Sequence, residues 1–260
     1  MIRALSTAAS GMEAQQTRLD VTANNIANSS TPGFKRNRAE FEEVMVQVEQ
    51  TPGSVSANGA VSAQIEVGLG VRTAGTARSF AQGDMQQTGN PLDVAIDGAG
   101  FIPLRMPSGE IAYTRDGALK LDLEGRLVNR EGHPIDAELS IPPEADQISI
   151  SPNGAVTATV PGDPTPIEAG RIPIVSFPNA GGLTAMGKNL FRETMASGAP
   201  LSGPPGDNGT GHFAQGTLEL SNVKIVEEMV DLIAGQRAYE VNARVIKAAD
   251  EMLQQATNIR

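Results

Sequence analysis

Glycine and proline are spread so unevenly along this chain that they divide it into three parts. All 17 Pro lie between Pro32 and Pro205, and 26 of the 28 Gly lie between Gly33 and Gly216. The first 31 residues hold only Gly11, and the last 44 only Gly235. Both residue types break helices, Gly through backbone entropy and Pro through its missing N–H. The 260 residues therefore read as helix, long non-helical middle, helix. That is an α+β chain, with long N- and C-terminal helices around a central antiparallel all-β domain and an extended connector.

The two ends carry heptad repeats. Leu5, Met12, Leu19 and Ile26 recur every seven residues, with Ile2, Ala9, Gln16 and Ala23 between them. A period of 3.5 suits supercoiled helices. Thr31-Pro32-Gly33 ends the pattern, because the residue before Pro disfavours helix. Segment 1–31 is read as the first coiled-coil helix. Ile225, Leu232, Tyr239, Ile246 and Leu253 repeat the spacing at the other end, flanked by Met229, Gln236, Ala243 and Asp250. Ser221 or Asn222 suits a cap, and Glu227 and Glu228 suit the positive end of a helix dipole. Segment 217–260 is read as the second such helix. Helices are expected over about 3–28 and about 222–257, well beyond the roughly 11–12 residues of an ordinary globular helix. They are expected to pair with each other, with copies of themselves, or both.

From residue 71 to 216 the pattern is that of a β domain. Ser108-Gly109, Asp116-Gly117, Glu124-Gly125 and Glu131-Gly132 follow at intervals of seven or eight, the spacing of short strands joined by tight turns. Leu119, Leu121 and Leu123 alternate with Lys120 and Asp122, and Asn153-Gly154 separates Ile148 and Ile150 from Val156 and Val160. Pro173 suits an edge strand over 171–177, and 197–211 reads as a long glycine-rich loop. Segment 32–70 is the connector. From residue 39 it carries five acids (Glu40, Glu42, Glu43, Glu49, Glu66) and no Lys or Arg, and Val44, Val46 and Val48 alternate as in a short strand. Residues 51–64, small and polar around Pro52, Gly53 and Gly59, read as extended. Lys35, Arg36 and Arg38 make a small basic knot just before the acids, either a solvated face or a surface that pairs with the acidic stretch across subunits.

Composition removes most chemistry. Without Cys there is no disulfide, thiolate metal site or cysteine nucleophile. His133 and His212 are the only histidines and no His–x–x–x–His pair exists, so no metal is expected. No Gly-x-Ser-x-Gly elbow is present, and Asp93 with Asp97, or Asp116 with Asp122, read as turn or surface acids, so no catalytic residue is assigned. Gly68-Leu69-Gly70 and Gly98-Ala99-Gly100 lack the third Gly and following helix of a nucleotide loop, and Asp207-Asn208-Gly209 falls short of a calcium loop, so no cofactor is expected. A net charge of −10 argues against nucleic acid. No apolar run is long enough for a membrane span, and an ordinary secretory signal is not expected.

Two terminal motifs give a resemblance. Asn24-Asn25-Ile26-Ala27-Asn28 followed by Ser30-Thr31-Pro32-Gly33-Phe34-Lys35-Arg36 resembles the N-terminal signature of the bacterial flagellar axial proteins, the rod and hook family. Ser221-Asn222-Val223, Glu227, Met229-Val230 and Gln236-Arg237-Ala238-Tyr239-Glu240-Val241-Asn242 resemble its C-terminal signature, and Tyr113-Thr114-Arg115-Asp116-Gly117 is similar to its β-domain hairpin. Length and connector resemble the distal rod members most. The resemblance implies a structural subunit exported by the flagellum's own type III apparatus without a cleaved signal. It implies a helical homopolymer in the basal body that crosses the periplasm and carries torque to the hook. Proximal rod proteins and hook protein would meet its two ends, P- and L-ring proteins would surround it, and the connector would stiffen it. The heptad rows Leu5, Met12, Leu19, Ile26 and Ile225, Leu232, Tyr239, Ile246, Leu253 would be its assembly seam. Asn24, Asn25, Asn28, Gly33 and Phe34 match the family motif, as do Gln236, Arg237, Ala238, Tyr239 and Glu240. The alternatives are a proximal rod or hook-type member, and a secreted β-domain enzyme or carbohydrate binder, for which two Tyr and no Trp are poor equipment.

Overall fold

The structure is a computed structural model that describes residues 2–50, 55–56, 59–60, 65–161, 163–207 and 209–258. Of the stretch read as extended at 51–64, residues 51–54, 57–58 and 61–64 lie outside the described residues, as does Asn208. The chain forms two compact units. One comprises Met1–Ala27, Asn37–Arg78 and Lys224–Arg260, and the other Asn28–Arg36 and Ser79–Val223. The backbone passes between them at four points, after residues 27, 36, 78 and 223.

The first unit holds both helices, α1 (Ile2–Ala27) and α2 (Ile225–Asn258). Their limits follow the breaker distribution closely. The unit also holds six strands: β1 (Asn37–Glu43), β2 (Val46–Gln50), β3 (Val55–Ser56), β4 (Gly59–Ala60), β5 (Ile65–Gly68) and β6 (Val71–Arg78). They pair antiparallel as β1 with β6, β2 with β5 and β3 with β4. The described part of the acidic segment thus lies in nested antiparallel strand pairs, a two-stranded ribbon, and the valine alternation was part of one strand of it. Two of its acids are matched by arginines, Glu42 by Arg72 at 2.6 Å and Glu40 by Arg38 at 2.8 Å. The foot of the ribbon is tied to α1. The Ser10 hydroxyl donates to the Thr7 carbonyl at 3.0 Å and accepts from the Val71 N–H at 3.3 Å. Gly70 sits beside it at φ +117°, where a Cβ would run into the Ser10 hydroxyl.

The second unit is built of short antiparallel strands. Ile102–Arg105, Ile111–Thr114, Leu190–Arg192 and Thr184–Gly187 form a four-stranded sheet, and Gln147–Ile150, Ala155–Val160 and Asp163–Arg171 a three-stranded one. Two pairings join early chain to late chain, Met85–Gln87 with Thr217–Glu219 and Val94–Asp97 with His212–Gln215. An aliphatic core including Ile96, Leu104, Val156 and Ile172 lies within. Phe80, Phe101, Tyr113, Phe177 and Phe191 form a separate edge-to-face cluster, with ring centroids 4.8–5.9 Å apart. Five of the nine aromatics thus gather in one place, where each such contact adds roughly 0.5–1.5 kcal/mol beyond area burial.

Most turn dipeptides act as turns. Gly109, Gly125, Gly132 and Gly154 take φ from +74° to +88°. Asp116-Gly117 does not. There the chain runs against Val94, whose N–H donates to the Gly117 carbonyl at 3.0 Å, and a Cβ on Gly117 would overlap the Val94 carbonyl oxygen. The leucine alternation also stops early. Leu119 is buried, but Leu123 lies in the tight turn after Asp122 and is 98% exposed. The loop read at 197–211 contains a strand, Leu201–Gly203, paired with Ile174–Ser176.

Candidate functional site

Among the described residues no group of three or more His, Cys, Asp or Glu is arranged to hold a metal ion. Among the same described residues no helix is long and apolar enough to cross a membrane. The features that set this chain apart are its paired helices, and separately a buried ion cluster in the β unit.

The helices run antiparallel. Asn25 Nδ2 donates to Glu228 Oε2 at 3.1 Å, and Arg18 Nη2 to Asp231 Oδ1 at 2.8 Å. A Cβ on Gly235 would stand 3.0 Å from Leu19 Cδ2, and one on Gly11 would stand 2.9 Å from Asn242 Nδ2. Gly11, Arg18 and Asn25 are seven apart on α1, as are Glu228, Gly235 and Asn242 on α2. The contact line within the chain is therefore a heptad of small and polar residues. The two glycines left in the helical ends both sit on it. Each costs about 1 kcal/mol of helix propensity, and in return the backbones approach where a side chain would intervene.

On α1 this line lies one residue before the apolar row and on α2 three residues after it, and Leu19 of the apolar row packs against Gly235. Leu5, Met12, Leu19, Ile26, Leu232, Ile246 and Leu253 are half-buried, while Ile225 and Tyr239 are exposed. The outer face of α2 near its start is more exposed still, with Val226, Met229, Val230 and Ile233 open to solvent. Farther along, the same face turns polar, through Gln236, Arg237, Glu240, Arg244 and Lys247, all exposed; Ala238 is half-buried.

Asn25 is the most constrained of the motif residues. It is buried, and its amide serves three partners. Nδ2 donates to the Asn37 carbonyl at 2.8 Å as well as to Glu228, and Oδ1 accepts from the Asn37 N–H at 3.0 Å. Its carboxamide thus binds the first peptide of β1 as a neighbouring strand would. Asn24 is exposed. Asn28 closes a turn, accepting from the Thr31 N–H at 3.1 Å through its carbonyl and from the Thr31 hydroxyl at 3.2 Å through Oδ1. Gly33 has φ +69°, and a Cβ there would meet the Asp116 nitrogen at 2.7 Å. Phe34 is buried.

The basic knot is not a solvated face at Lys35. Its side chain is 0% exposed, with Nζ 2.6 Å from Glu219 Oε1 and 2.8 Å from the Ala81 carbonyl oxygen. Arg115 Nε reaches Glu219 Oε2 at 2.9 Å, and its Nη1 donates to the Gly98 and Gly100 carbonyls at 2.8 and 2.7 Å. The Gly83 N–H adds a further bond to Glu219 Oε1 at 2.9 Å. Two cations share one carboxylate, and carbonyl oxygens take the remaining donors. Burial pulls the Lys35 ammonium below its ordinary range, against the attraction of Glu219. Burial alone would raise the Glu219 carboxyl, but Arg115 and Lys35 outweigh it and hold it below the usual range. Sequence reading passed over Arg115 and Glu219 as site residues. Their only signal was that Lys35 and Arg115 each fall inside a family motif.

Three family models match the chain. Flagella basal body rod protein matches residues 5–35, Flagellar hook protein FlgE/F/G D1 domain residues 95–158, and Flagellar basal body rod FlgEFG protein C-terminal residues 214–259. The chain is 45% identical over 263 residues to the flagellar basal-body rod protein FlgG of Borreliella burgdorferi, covering 100% of this chain and 99% of that protein. It is 44% identical to FlgG of Caulobacter vibrioides over 261 residues, 100% of both chains. To FlgF of the same bacterium it is 35% identical over 242 residues, 92% of this chain and 89% of the other.

Proposed function

This chain belongs to the family of flagellar basal-body rod proteins, and on that premise we propose that it polymerises into the helical tube of the distal rod. It is a structural subunit of the flagellar basal body and not an enzyme. The higher identity to FlgG than to FlgF within one bacterium favours the distal reading over a proximal or hook-type one.

The observation that carries the reading is the apolar surface that one copy leaves uncovered. The intrachain seam uses mostly small and polar residues, so the apolar rows are only half covered within one chain, and the start of α2 is left open to neighbours. Ile225, Val226, Met229, Val230 and Ile233 are each about half exposed or more. Covering the exposed part of five such side chains is worth about 1 kcal/mol each, or about 5 kcal/mol per subunit. A contact between unlike faces of successive copies builds an open helical filament when its rotation does not close a ring.

In the proposed assembly, segments 1–31 and 217–260 form the coiled-coil layer, the connector 32–70 stiffens the tube, and the β domain 71–216 faces outward. The seam is Leu5, Met12, Leu19 and Ile26 with Ile225, Leu232, Tyr239, Ile246 and Leu253. The tube crosses the periplasm, meets proximal rod and hook proteins at its ends and runs through the P- and L-rings. The subunit is delivered by the type III export apparatus without a cleaved signal. Electron microscopy of the purified, concentrated protein tests this. Straight hollow tubes are expected, and a protein that stays monomeric at every concentration, or forms curved hook-like filaments, would overturn it.

A further inference from the structure

We propose that residues 33–36 and 219–222 form a clamp, folded within the β unit, that sets which turn of α1 meets which turn of α2. The helices belong to one unit and the clamp to the other. The backbone passes from one to the other, and that covalent connection is all the mechanism requires.

The spacing is symmetrical. The Gly33 N–H donates to the Glu219 carbonyl at 2.9 Å. Gly33 lies six residues beyond the last residue of α1, and Glu219 six before the first of α2. The bond is flanked by others. The Arg36 N–H donates to Asn222 Oδ1 at 2.7 Å, and Asn222 Nδ2 donates to the Ser79 and Ala81 carbonyls at 3.0 and 2.9 Å. Lys35 and Glu219 close the clamp with the buried 2.6 Å ion pair. The residues between clamp and helices carry little slack. Thr31 N–H bonds to Asn28 O and Phe34 N–H to Thr31 O, while Ser221 and Val223 are buried.

The helix seam needs such help. A slip of one heptad, about 10 Å along the axis, would set Gly11 against Gly235 or Ala249 in place of Asn242, one small or polar contact for another. The Arg18–Asp231 pair is more than one-third exposed on both sides, and exposed pairs discriminate weakly. The buried Asn25–Glu228 bond favours the observed register, but it lies at the end of the seam nearest the clamp in sequence and cannot form until the ends are brought together. With the clamp open and the β unit folded, the pairing of Met85–Gln87 with Thr217–Glu219 still closes the loop, at roughly 65 residues against roughly 12 with the clamp shut. The three-halves power law makes pairing about 12-fold more favourable once the clamp is shut.

The chain has no Cys, so introduced pairs report without interference. Gly11→Cys with Asn242→Cys traps the observed register, and Gly11→Cys with Gly235→Cys or Ala249→Cys traps the slipped ones. Each pair is oxidised in the full-length dilute protein, in the parent clamp and with Lys35→Met, Asn222→Ala or both. Protease resistance of residues 79–223 reports whether the β unit is folded. The parent is expected to give the 11–242 link at least tenfold over either slipped link, and the clamp variants less than threefold. A ratio that stays above tenfold in the variants overturns the proposal, as does a parent that forms all three links equally. A variant whose β unit unfolds must also lose the preference, and native cross-linking there overturns it too. The links form within one chain, so a protein that failed to polymerise would refute the rod reading and leave this result untouched.

Discussion

Replacing Asn25 by alanine tests how much of the subunit's order hangs on one amide. The side chain is buried and makes three bonds, at 3.1 Å to the Glu228 carboxylate and at 2.8 and 3.0 Å to the two ends of the Asn37 peptide. A bond to a charged acceptor contributes about 2 kcal/mol and each neutral one about 1 kcal/mol, a sum of about 4 kcal/mol. Asn37 is only half-buried, so water recovers about 1 kcal/mol of its share. The net loss is about 3 kcal/mol, or about 150-fold in an equilibrium constant. If helices and ribbon order on assembly, this loss raises the critical concentration for polymerisation by that factor, as read by sedimentation. A critical concentration within threefold of the parent would refute the reasoning. Asn25→Asp adds a sign. Burial and Glu228 would raise the new carboxyl's pKa above its unfolded value. Its contribution is then present below the unfolded pKa and lost as pH rises through the folded one, so this variant should approach the parent near pH 4 and fail at pH 7.

Leu232→Asp places a charge in the half-buried apolar row and should abolish tubes while leaving the unfolding temperature of the β unit unchanged; normal tubes from this variant in the microscope would remove the row from the seam. Gly33→Ala forces a side chain into φ +69° and against the Asp116 backbone, a loss of about 3 kcal/mol by urea unfolding of the β unit. Gly11→Ala meets only the movable Asn242 amide and gains about 1 kcal/mol of helix propensity, so it should stay within about 1 kcal/mol of the parent. Glu219→Gln leaves two buried cations and should cost about 3–5 kcal/mol at pH 7. Because the folded Glu219 pKa is lowered, its stabilisation is complete above the unfolded value of about 4.5 and lost as pH falls through the folded one. The gap between parent and variant in thermal unfolding should therefore stay open at neutral pH and narrow only as pH falls below the unfolded value.

The two helices were legible because breakers and heptads are local signals, and their limits moved by only a few residues. The line along which they meet was not. An apolar row announces itself, whereas Gly11, Arg18 and Asn25 look like interruptions on the neighbouring face, and their meaning depends on Glu228, Gly235 and Asn242 some two hundred residues away. Lys35 was misread for the same reason. A cation just before an acidic stretch looks made to pair with it until its carboxylate is found at position 219. The ribbon was half visible, since alternating valines indicate a strand but say nothing of its partner. Leu123 shows the limit of alternation itself, because a two-residue strand followed by a tight turn carries the pattern past the end of the sheet. The preference for the distal rod over its relatives rested in the sequence on length and connector, and not on any single residue.

The four points at which the backbone passes between the two units have a mechanical meaning for a rotating shaft. A domain hung on one linker swivels about it, and a twisting load is then borne by a single strand of polypeptide. Here the covalent path runs through four crossings of the backbone. A load passed from one unit to the other along the chain is therefore shared among four peptide segments, where a single linker would carry all of it.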